Sequence, residues 1–355
     1  MTAISDIAVA PQDRRARARR LQFVLAGALV LACLGSLQIG ATEVKLSAVL
    51  LKLVQGVSLS QTEHLVLFDI RMPRLAMGIL VGAALAVSGA AMQGLFRNPL
   101  ADPGIVGVGA GAGLGAILAI VLGALLPGWV TDLTGNQLVP FAAFIGGWGS
   151  TILLYKASTH HGRTSVATML LAGIALGALA GAMSGILVYI ADDTQLRDLT
   201  FWGLGSLAGA SWTKVFAAGP MIVLAIGAAL MLGRGLNGLA LGEATAAHIG
   251  IDVQRMKSVA ILAVAAATGA AVSVSGGIGF IGIVVPHLLR LASGPDHRPL
   301  LLNSALLGGT LLILADVIAR VVIAPAELPI GIVTAILGAP IFLWILLKRR
   351  GLVEL

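Results

Sequence analysis

The sequence is poor in charged residues. Only 11% of its 355 residues are Asp, Glu, Lys or Arg, whereas 58% are hydrophobic. A soluble globular protein carries about 25% charged residues. Because so little polar surface is available to cover a fold of this size, a water-soluble fold is excluded. The composition instead predicts an integral membrane protein that is surrounded mainly by lipid.

Catalytic and phosphate-binding motifs are also absent. The chain has no G-x-x-x-x-G-K-[ST] sequence, and none of its lysines follows a glycine, which excludes a P-loop ATPase. It has no H-E-x-x-H motif and no nucleophile elbow. The pair His160-His161 has no second cluster of metal ligands beside it, and adjacent residues point apart on a helix. The sequence therefore predicts a chain that is not an enzyme and holds neither a metal nor a cofactor.

Cysteine is nearly absent, and the basic residues are not concentrated. The single cysteine, Cys33, lies inside an apolar segment, which excludes a disulfide framework and indicates a small buried hydrophobic residue. The net charge is +7, but the basic residues are scattered over the ends of apolar segments. No basic face is dense enough to follow a phosphate backbone, so we expect no nucleic-acid partner.

The stretch from Arg71 to Gly104 is the most informative part of the chain. Its apolar run, Leu75–Phe96, is long enough to cross a hydrocarbon core of about 30 Å. Small residues recur every four positions along it, at Gly78, Gly82, Ala86 and Ala90. Such a stripe lets neighbouring membrane helices approach closely. With the polar residues Ser88 and Gln93 inside it, the run predicts a closely packed helix on the pore side.

Similar apolar runs occur along the whole chain. They are 21–40, 75–96, 104–126, 139–155, 166–191, 215–233, 258–276, 281–289, 300–322 and 330–347. The region 258–289 is too long for one span and is broken at Gly276-Gly277, which predicts one complete helix and one short helix. The pattern indicates about ten transmembrane helices. In the ninth run Asp316 and Arg320 are four residues apart, so we expect them to form an ion pair.

These runs define one transmembrane domain at 21–347, between a basic tail at 1–20 and a short tail at 348–355. Two segments inside the domain are neither spans nor simple loops. Residues 192–212 are partly apolar and predict a short helix at the outer mouth, whereas residues 234–257 predict a polar cytoplasmic excursion.

The basic residues assign the two sides of the membrane. With the N-terminus inside, the inner loops and tail contain Arg97, Lys156, Arg163, Arg234, Arg255, Lys257, Arg290, Arg298, Lys348, Arg349 and Arg350. The outer segments contain only Lys45, Lys52, Arg71, Arg74, Arg197, Lys214 and Arg320. Basic residues favour the cytoplasmic side, so both termini are predicted to be cytoplasmic.

Polar residues inside several runs favour transport over a purely structural role. They are Gln93, Ser184, Ser273, Ser275, Asp316 and Arg320. A passive channel or an ion-coupled carrier is one hypothesis, because Gln93 and Asp316 could serve either. Such a protein would need no cytoplasmic excursion for docking an ATPase.

Several motifs resemble one family in particular. RMPRLAMGILVGAALAVSGAAMQGLFRNPLADPG, GEATAAHIGI, SGGIGFIGIVVPHLLRL, GPDHR and ADVIARVVIAPAELPIGIVTAILGAP occur in order between Arg71 and Arg349. Together they resemble the permease subunit of type II ABC importers, which carry ferric siderophores, haem and cobalamin. The resemblance implies an all-α fold of about ten transmembrane helices, a homodimer and a place in the bacterial inner membrane. It also implies two separate ATPase subunits, which bind ATP and Mg, and a periplasmic binding protein that delivers the cargo.

The resemblance also suggests roles for individual residues. The residues implied to dock acidic groups of the binding protein are Arg71, Arg74 and Arg320. Those implied to form a cytoplasmic gate are Asn98, Leu100, Val166 and Ala167. Those implied to dock the ATPase as a coupling segment are Glu243, Ala244, His248, Gly250 and Asp252. The segments FWGLGSLAGASW and APAELPIGIVTA look most like haem permeases, so haem is the expected cargo, with ferric siderophore and cobalamin as alternatives.

Overall fold

The computed structural model describes residues 11–40, 44–160 and 163–353, and the fold they form is almost entirely helical. The helices are α1 (Pro11–Gln38), α2 (Leu46–Val54), α3 (Gln61–His64), α4 (Met72–Leu95), α5 (Val108–Leu122), α6 (Gly128–Thr134), α7 (Leu138–Ser158), α8 (Val166–Ile190), α9 (Asp193–Leu204), α10 (Trp212–Met231), α11 (Gly233–Leu239), α12 (Glu243–His248), α13 (Val253–Ser275), α14 (Ile281–Ser293), α15 (His297–Val321) and α16 (Ile330–Val353). A π-helical segment (Leu65–Arg71) joins α3 to α4, and 3-10 turns lie at Pro103–Val106, Gly123–Leu125 and Gly135–Gln137. Two short antiparallel strands, β1 (Thr159–His160) and β2 (Arg163–Thr164), connect α7 to α8.

The membrane spans agree with the predicted runs. Eight helical stretches within the described residues are long and apolar enough to cross a membrane, and two shorter apolar helices accompany them at Ile281–Ser293 and Ile330–Trp344. This set is consistent with ten transmembrane segments. The prediction of one complete and one short helix around Gly276-Gly277 is confirmed, because α13 ends at Ser275 and the short α14 follows.

Helix α4 is the centre of the bundle. It packs against α10, α13, α14 and α15, and its residues from Val81 to Leu95 are buried. The small-residue stripe makes this possible, because a Cβ on Gly82 would lie only 2.3 Å from the backbone oxygen of Gly308 on α15. The predicted close packing is therefore confirmed. The predicted position beside a pore is wrong, since the chain's own helices enclose α4.

The polar residues of α4 hold neighbouring helices together. The Gln93 amide donates to the Gly282 carbonyl at 3.1 Å, and the Arg290 guanidinium donates to the Gln93 oxygen. Both partners lie on α14, which approaches α4 so closely that a Cβ on Gly89 would overlap the Gly282 backbone. Gln93 is only 2% exposed, so the polar group at membrane depth is satisfied by protein and not by a water-filled path.

Two boundaries differ from the predicted ones. Helix α1 begins at Pro11, ten residues before the predicted start of the first span, so the second half of the basic tail is helical. Residues 1–10 of that tail and residues 354–355 of the C-terminal tail lie outside the described residues. The short helix predicted at 192–212 forms as α9, where the Asp192 side chain and Gln195 make a capping box. It ends at Leu204, and the following residue, Gly205, has a φ of 69°, which suits glycine.

The bundle has two ends that carry different chemistry. We call the end where α4 begins and α15 terminates the arginine end, after Arg71, Arg74 and Arg320. We call the opposite end, where α11 lies between α12 and the start of α15, the coupling end. The charge pattern of the sequence predicts that the arginine end faces outward and the coupling end faces the cytoplasm.

Candidate functional sites at the two ends of the bundle

A buried carboxylate organises the arginine end. Asp316, which is 3% exposed, accepts hydrogen bonds from Arg74 Nε at 2.9 Å and lies 2.8 Å from Arg74 Nη2. Its second oxygen lies 3.1 Å from Arg320 Nε, one helical turn further along α15. The ion pair predicted between Asp316 and Arg320 is therefore confirmed. Arg74 also reaches Glu327 in the loop after α15, with Nη1 2.9 Å from Oε1.

The remaining donors of this cluster hold the end of α1. Arg320 Nη2 donates to the hydroxyl of Ser36 at 2.8 Å, and its Nη1 donates to the carbonyl of Ile39 at 3.2 Å. Arg71 Nη1 donates to the carbonyl of Val44 at 2.8 Å and to that of Leu37. Carbonyls at a helix C-terminus have no partner within the helix and carry partial negative charge, so cations are stabilised there.

The three arginines predicted to dock a binding protein lie beneath the surface of the subunit. Arg71, Arg74 and Arg320 are 5%, 8% and 6% exposed. The structure thus brings them together, as the sequence predicts, but joins them to internal partners. The Glu327 side chain, 36% exposed, is the acid of the cluster that reaches the surface. Docking through these arginines stays a prediction.

The predicted gate residues lie in the turn after α4 and at the start of α8. Asn98 Oδ1 accepts the backbone N–H of Leu100 at 3.0 Å, which closes the turn after α4. Val166 and Ala167 begin α8, and Ser165 caps that helix by accepting the N–H of Thr168 at 3.3 Å. Asn98 and Ala167 are exposed, and the other two are partly exposed. Their gating role stays a prediction.

A second carboxylate follows the gate turn. Asp102 accepts the backbone N–H of Gly104 at 2.8 Å and so begins the 3-10 turn before α5. Burial raises the pKa of this carboxyl group above its ordinary value, and the hydrogen bond from Gly104 partly opposes that shift. The turn therefore folds back into the protein.

The predicted coupling segment forms a short helix and a turn. Glu243, Ala244 and His248 lie on α12, and Gly250 follows with a φ of 84°, which glycine adopts without strain. Asp252 then caps α13 by accepting the N–H of Arg255 at 3.0 Å. No group of three or more His, Cys, Asp or Glu among the described residues is placed to hold a metal ion.

A lysine connects the coupling segment to the start of α8. Lys257 Nζ lies 2.7 Å from Glu243 Oε1 and donates to the carbonyl of Thr164 at 3.0 Å. The Thr164 N–H donates in turn to Gln254 Oε1 at 2.9 Å. Because Thr164 stands two residues before Val166, these contacts fix the predicted coupling segment to one half of the predicted gate.

The sequence of the chain matches a known family over most of its length. A family model, that of the FecCD transport family, matches residues 28–348, which include α4 and both ends of the bundle. The chain belongs to the FecCD transport family. The predicted resemblance is therefore confirmed, and the all-α permease fold agrees with it.

The relatives of this FecCD-family chain are named as transport proteins. The chain is 43% identical over 322 residues to the hemin transport system permease protein HmuU of Yersinia pestis, covering 91% of this chain and 93% of that one. It is 43% identical over 290 residues to the cobalamin import system permease protein BtuC of Halobacterium salinarum, covering 82% and 75%. Among solved structures, an inward-facing transporter described as of metal-chelate type matches with a TM-score of 0.81 and 32% identity, covering 93% of this chain and 99% of that one.

Sequence reasoning missed several polar residues of this FecCD-family chain. Glu327 lies in a loop and its pairing with Arg74 spans 253 positions, whereas Lys257 and Thr164 are 93 positions apart. Lys257 was recognised only as one inner basic residue among many. Lys257 is the last residue of the polar excursion and directly precedes the apolar run at 258–276, and this position was the available signal for a paired charge.

Proposed function

We propose that this chain is the membrane-spanning permease subunit of an ATP-driven importer that moves haem across the bacterial inner membrane. The observation that carries the proposal is the 43% identity to a hemin permease over 93% of that protein. A cobalamin permease of Citrobacter koseri is equally identical, with a slightly smaller share, 84%, of the relative covered. Cobalamin and ferric siderophores are therefore the alternative cargoes for the same mechanism.

The proposed division of labour follows from the two ends of the bundle. A periplasmic binding protein would deliver cargo at the arginine end, and two ATPase subunits that bind ATP and Mg would engage α12 at the coupling end. This orientation makes both termini cytoplasmic. The contacts of Lys257 with Glu243 and Thr164 support the proposal, because they provide a direct route from α12 to the start of α8.

The proposed importer contains two copies of this chain, and the observations that support a homodimer lie on α8. Only 11% of this span is buried within the subunit. Gly177, Gly181 and Gly185 follow one another at intervals of four, and a Cβ on any of them would meet nothing within 4 Å. Lipid alone requires no such stripe, whereas a close helix–helix contact does. We infer that a second copy packs against this face.

Reconstitution tests the proposed function. Proteoliposomes containing the permease and its ATPase should accumulate haem only when ATP and the binding protein are both supplied. Uptake that persists without ATP and without the ATPase would favour a passive channel or an ion-coupled carrier. The absorption spectrum and metal content of the isolated binding protein should identify the cargo. A corrinoid or siderophore spectrum would change the cargo and leave the mechanism in place.

Docking at the arginine end can be tested without reversing a buried charge. We expect a carboxylate of the binding protein to compete with Glu327 for Arg74. Glu327→Gln should then strengthen complex formation by a few fold, since a surface ion pair contributes about 0–1 kcal/mol. Glu63→Gln, which affects another acid of the outer segments, is the control. Unchanged affinity in Glu327→Gln would argue against docking through Arg74.

The coupling segment has its own test. Replacing residues 243–252 with a Gly/Ser linker should leave a folded membrane protein that no longer copurifies with its ATPase. The reason is that α12, the helix proposed to contact the ATPase, would be lost. Copurification and ATP-driven transport at the original level would refute the assignment.

A further inference from the structure

We propose that a cavity at the arginine end is a binding site for a carboxylate or phosphate group, with Lys214 as its cationic residue. The cavity has a volume of about 300 Å³ and lies among α9, the start of α10 and the end of α13. Its polar lining includes Lys214, Ser206, Ser273 and Asn136. None of the described residues that line it is acidic.

The charge at Lys214 is not compensated within the described chain. Lys214 lies in the first turn of α10, a helix of 20 residues whose first turn has no acidic residue. No carboxylate of the described residues lies within ion-pair distance of its ammonium group. A helix N-terminus already carries partial positive charge, so a lysine there adds to that charge and a bound anion would be stabilised by both. Helix dipole and ammonium therefore attract the same kind of ligand.

The ammonium group lies beside the loop that lines the cavity. A Cβ on Gly209, in the loop between α9 and α10, would lie 3.3 Å from Lys214 Nζ. The side chain thus lies against this loop, and Lys214 is only partly exposed. A lysine that only anchors a helix extends its ammonium group towards the lipid headgroups. Lys214 instead forms part of the cavity lining, where it is partly shielded from water and an ion pair is screened less than at an open surface.

Hydroxyl groups complete the site. Ser206 Oγ accepts the N–H of Ala208 at 3.0 Å, which leaves its hydroxyl proton available for an anion. The aromatic residues Phe201 and Trp202 form part of the wall. A volume of about 300 Å³ is at the lower limit for small-molecule pockets. The cavity therefore suits the acidic arm of a larger molecule, or a phosphate headgroup, and not a whole bulky chelate.

The site does not rest on the proposed haem import, because anion binding requires neither ATP nor a partner. Two sources offer the same chemistry at the predicted outer side. One is a soluble acid, such as the carboxylate arm of a metal chelate, and the other is the phosphate of an anionic lipid. A single experiment on the full chain can separate them.

The experiment measures tryptophan emission from the full-length protein in nanodiscs. The signal of Trp202 is isolated by subtracting the spectrum of Trp202→Phe, and the probes are citrate and inorganic phosphate. In discs of phosphatidylcholine alone, we expect a saturable change in Trp202 emission with citrate. Lys214→Gln should bind at least about tenfold more weakly, which is the usual effect of losing a charge-assisted hydrogen bond. Lys214→Arg should retain the response, and Lys45→Gln, an exposed lysine at the same end, should behave as wild type.

Discs that contain phosphatidylglycerol identify the source. If a lipid headgroup occupies the cavity, these discs should alter Trp202 emission before any probe is added and should suppress the citrate response. If the ligand is a soluble acid, both disc types should give the same citrate curve. The proposal is overturned if wild type responds neither to the probes nor to phosphatidylglycerol, or if Lys214→Gln responds as wild type does. Failure of ATP-driven haem uptake would leave all these results unchanged, so the two proposals are tested separately.

Discussion

Replacing Asp316 with asparagine should destabilise the subunit more than any other single change in the arginine cluster. The substitution keeps the shape of the side chain but removes the one carboxylate that contacts both Arg74 and Arg320. The new amide nitrogen would also point hydrogen atoms at guanidinium groups that can only donate. Two buried positive charges would then lie close together without a shared counter-ion.

The size of the effect follows from the geometry. Unit charges about 4 Å apart attract by about 4 kcal/mol at an effective dielectric constant of about 20. Removing one partner of a buried ion pair typically costs about 3–5 kcal/mol, because the other charge remains buried. Arg74 keeps Glu327 as a partner at 2.9 Å, and Arg320 keeps the Ser36 hydroxyl at 2.8 Å. We therefore expect Asp316→Asn to lower the free energy of unfolding by about 3–5 kcal/mol.

A denaturing-detergent titration followed by far-ultraviolet circular dichroism can measure this loss. Glu327→Gln is the matched control, because it removes the half-exposed acid of the same cluster and should cost less than about 1 kcal/mol. Adding Arg320→Gln to Asp316→Asn should restore part of the stability, since one uncompensated charge disappears. If Asp316→Asn and Glu327→Gln unfold at the same detergent fraction, the carboxylate of Asp316 is not what stabilises the buried arginines.

Three further outcomes follow from close contacts and open spaces in the bundle. Gly82→Ala should cost about 1–3 kcal/mol in the same titration, because its Cβ would lie 2.3 Å from a backbone oxygen. Gly78→Ala should be nearly neutral, because its Cβ would lie 3.5 Å from the nearest side chain. Equal losses in the two variants would contradict the packing argument. Gly181→Leu should leave the fold intact but abolish cross-linking between two copies. Gly227→Leu, at another glycine whose Cβ would meet nothing within 4 Å, should leave the dimer unchanged. A dimer that tolerates Gly181→Leu would place the interface elsewhere. Lys257→Gln should lower the amount of cargo moved per ATP hydrolysed while copurification with the ATPase persists, and an unchanged ratio would exclude this lysine from coupling.

The spans and their packing could be predicted from the sequence because both depend on residues that are close together in the chain. A helix in lipid satisfies its own backbone groups, so an apolar run of sufficient length is nearly enough to define a span. The small-residue stripe around Gly82 likewise predicts a close helix contact, and the contact with Gly308 bears this out. The end of a helix at Gly276-Gly277 could be predicted for the same reason. Glycine there ends one helix before the short α14 begins.

The sites were harder to predict because their partners are distant in the chain. Arg74 and Asp316 are 242 positions apart, and no single sequence shows that they share one buried cluster. The second apolar run begins at residue 75 of the sequence, yet the helix of that span already begins at Gln61. Glu63 caps the start of that helix, since its carboxylate accepts the N–H of Ser60 at 2.9 Å. The pore-side position of α4 was predicted from polar residues whose partners turned out to be protein atoms.

Helix α15 connects the two candidate sites, because it begins at the coupling end and terminates at the arginine end. At the coupling end, the Asn237 side chain on α11 donates to Asp296 Oδ1 at 2.6 Å and accepts the N–H of His297 at 2.9 Å. At the other end, the same helix carries Asp316. Between them, Gly308 lies so close to Gly82 of α4 that neither position has room for a side chain. Because a closely packed helix moves as a unit, a displacement of α11 reaches the arginine cluster only if α15 slides along α4 or if the ion pairs of Asp316 break. Asp316→Asn therefore weakens a restraint at the arginine end that such a movement would have to overcome.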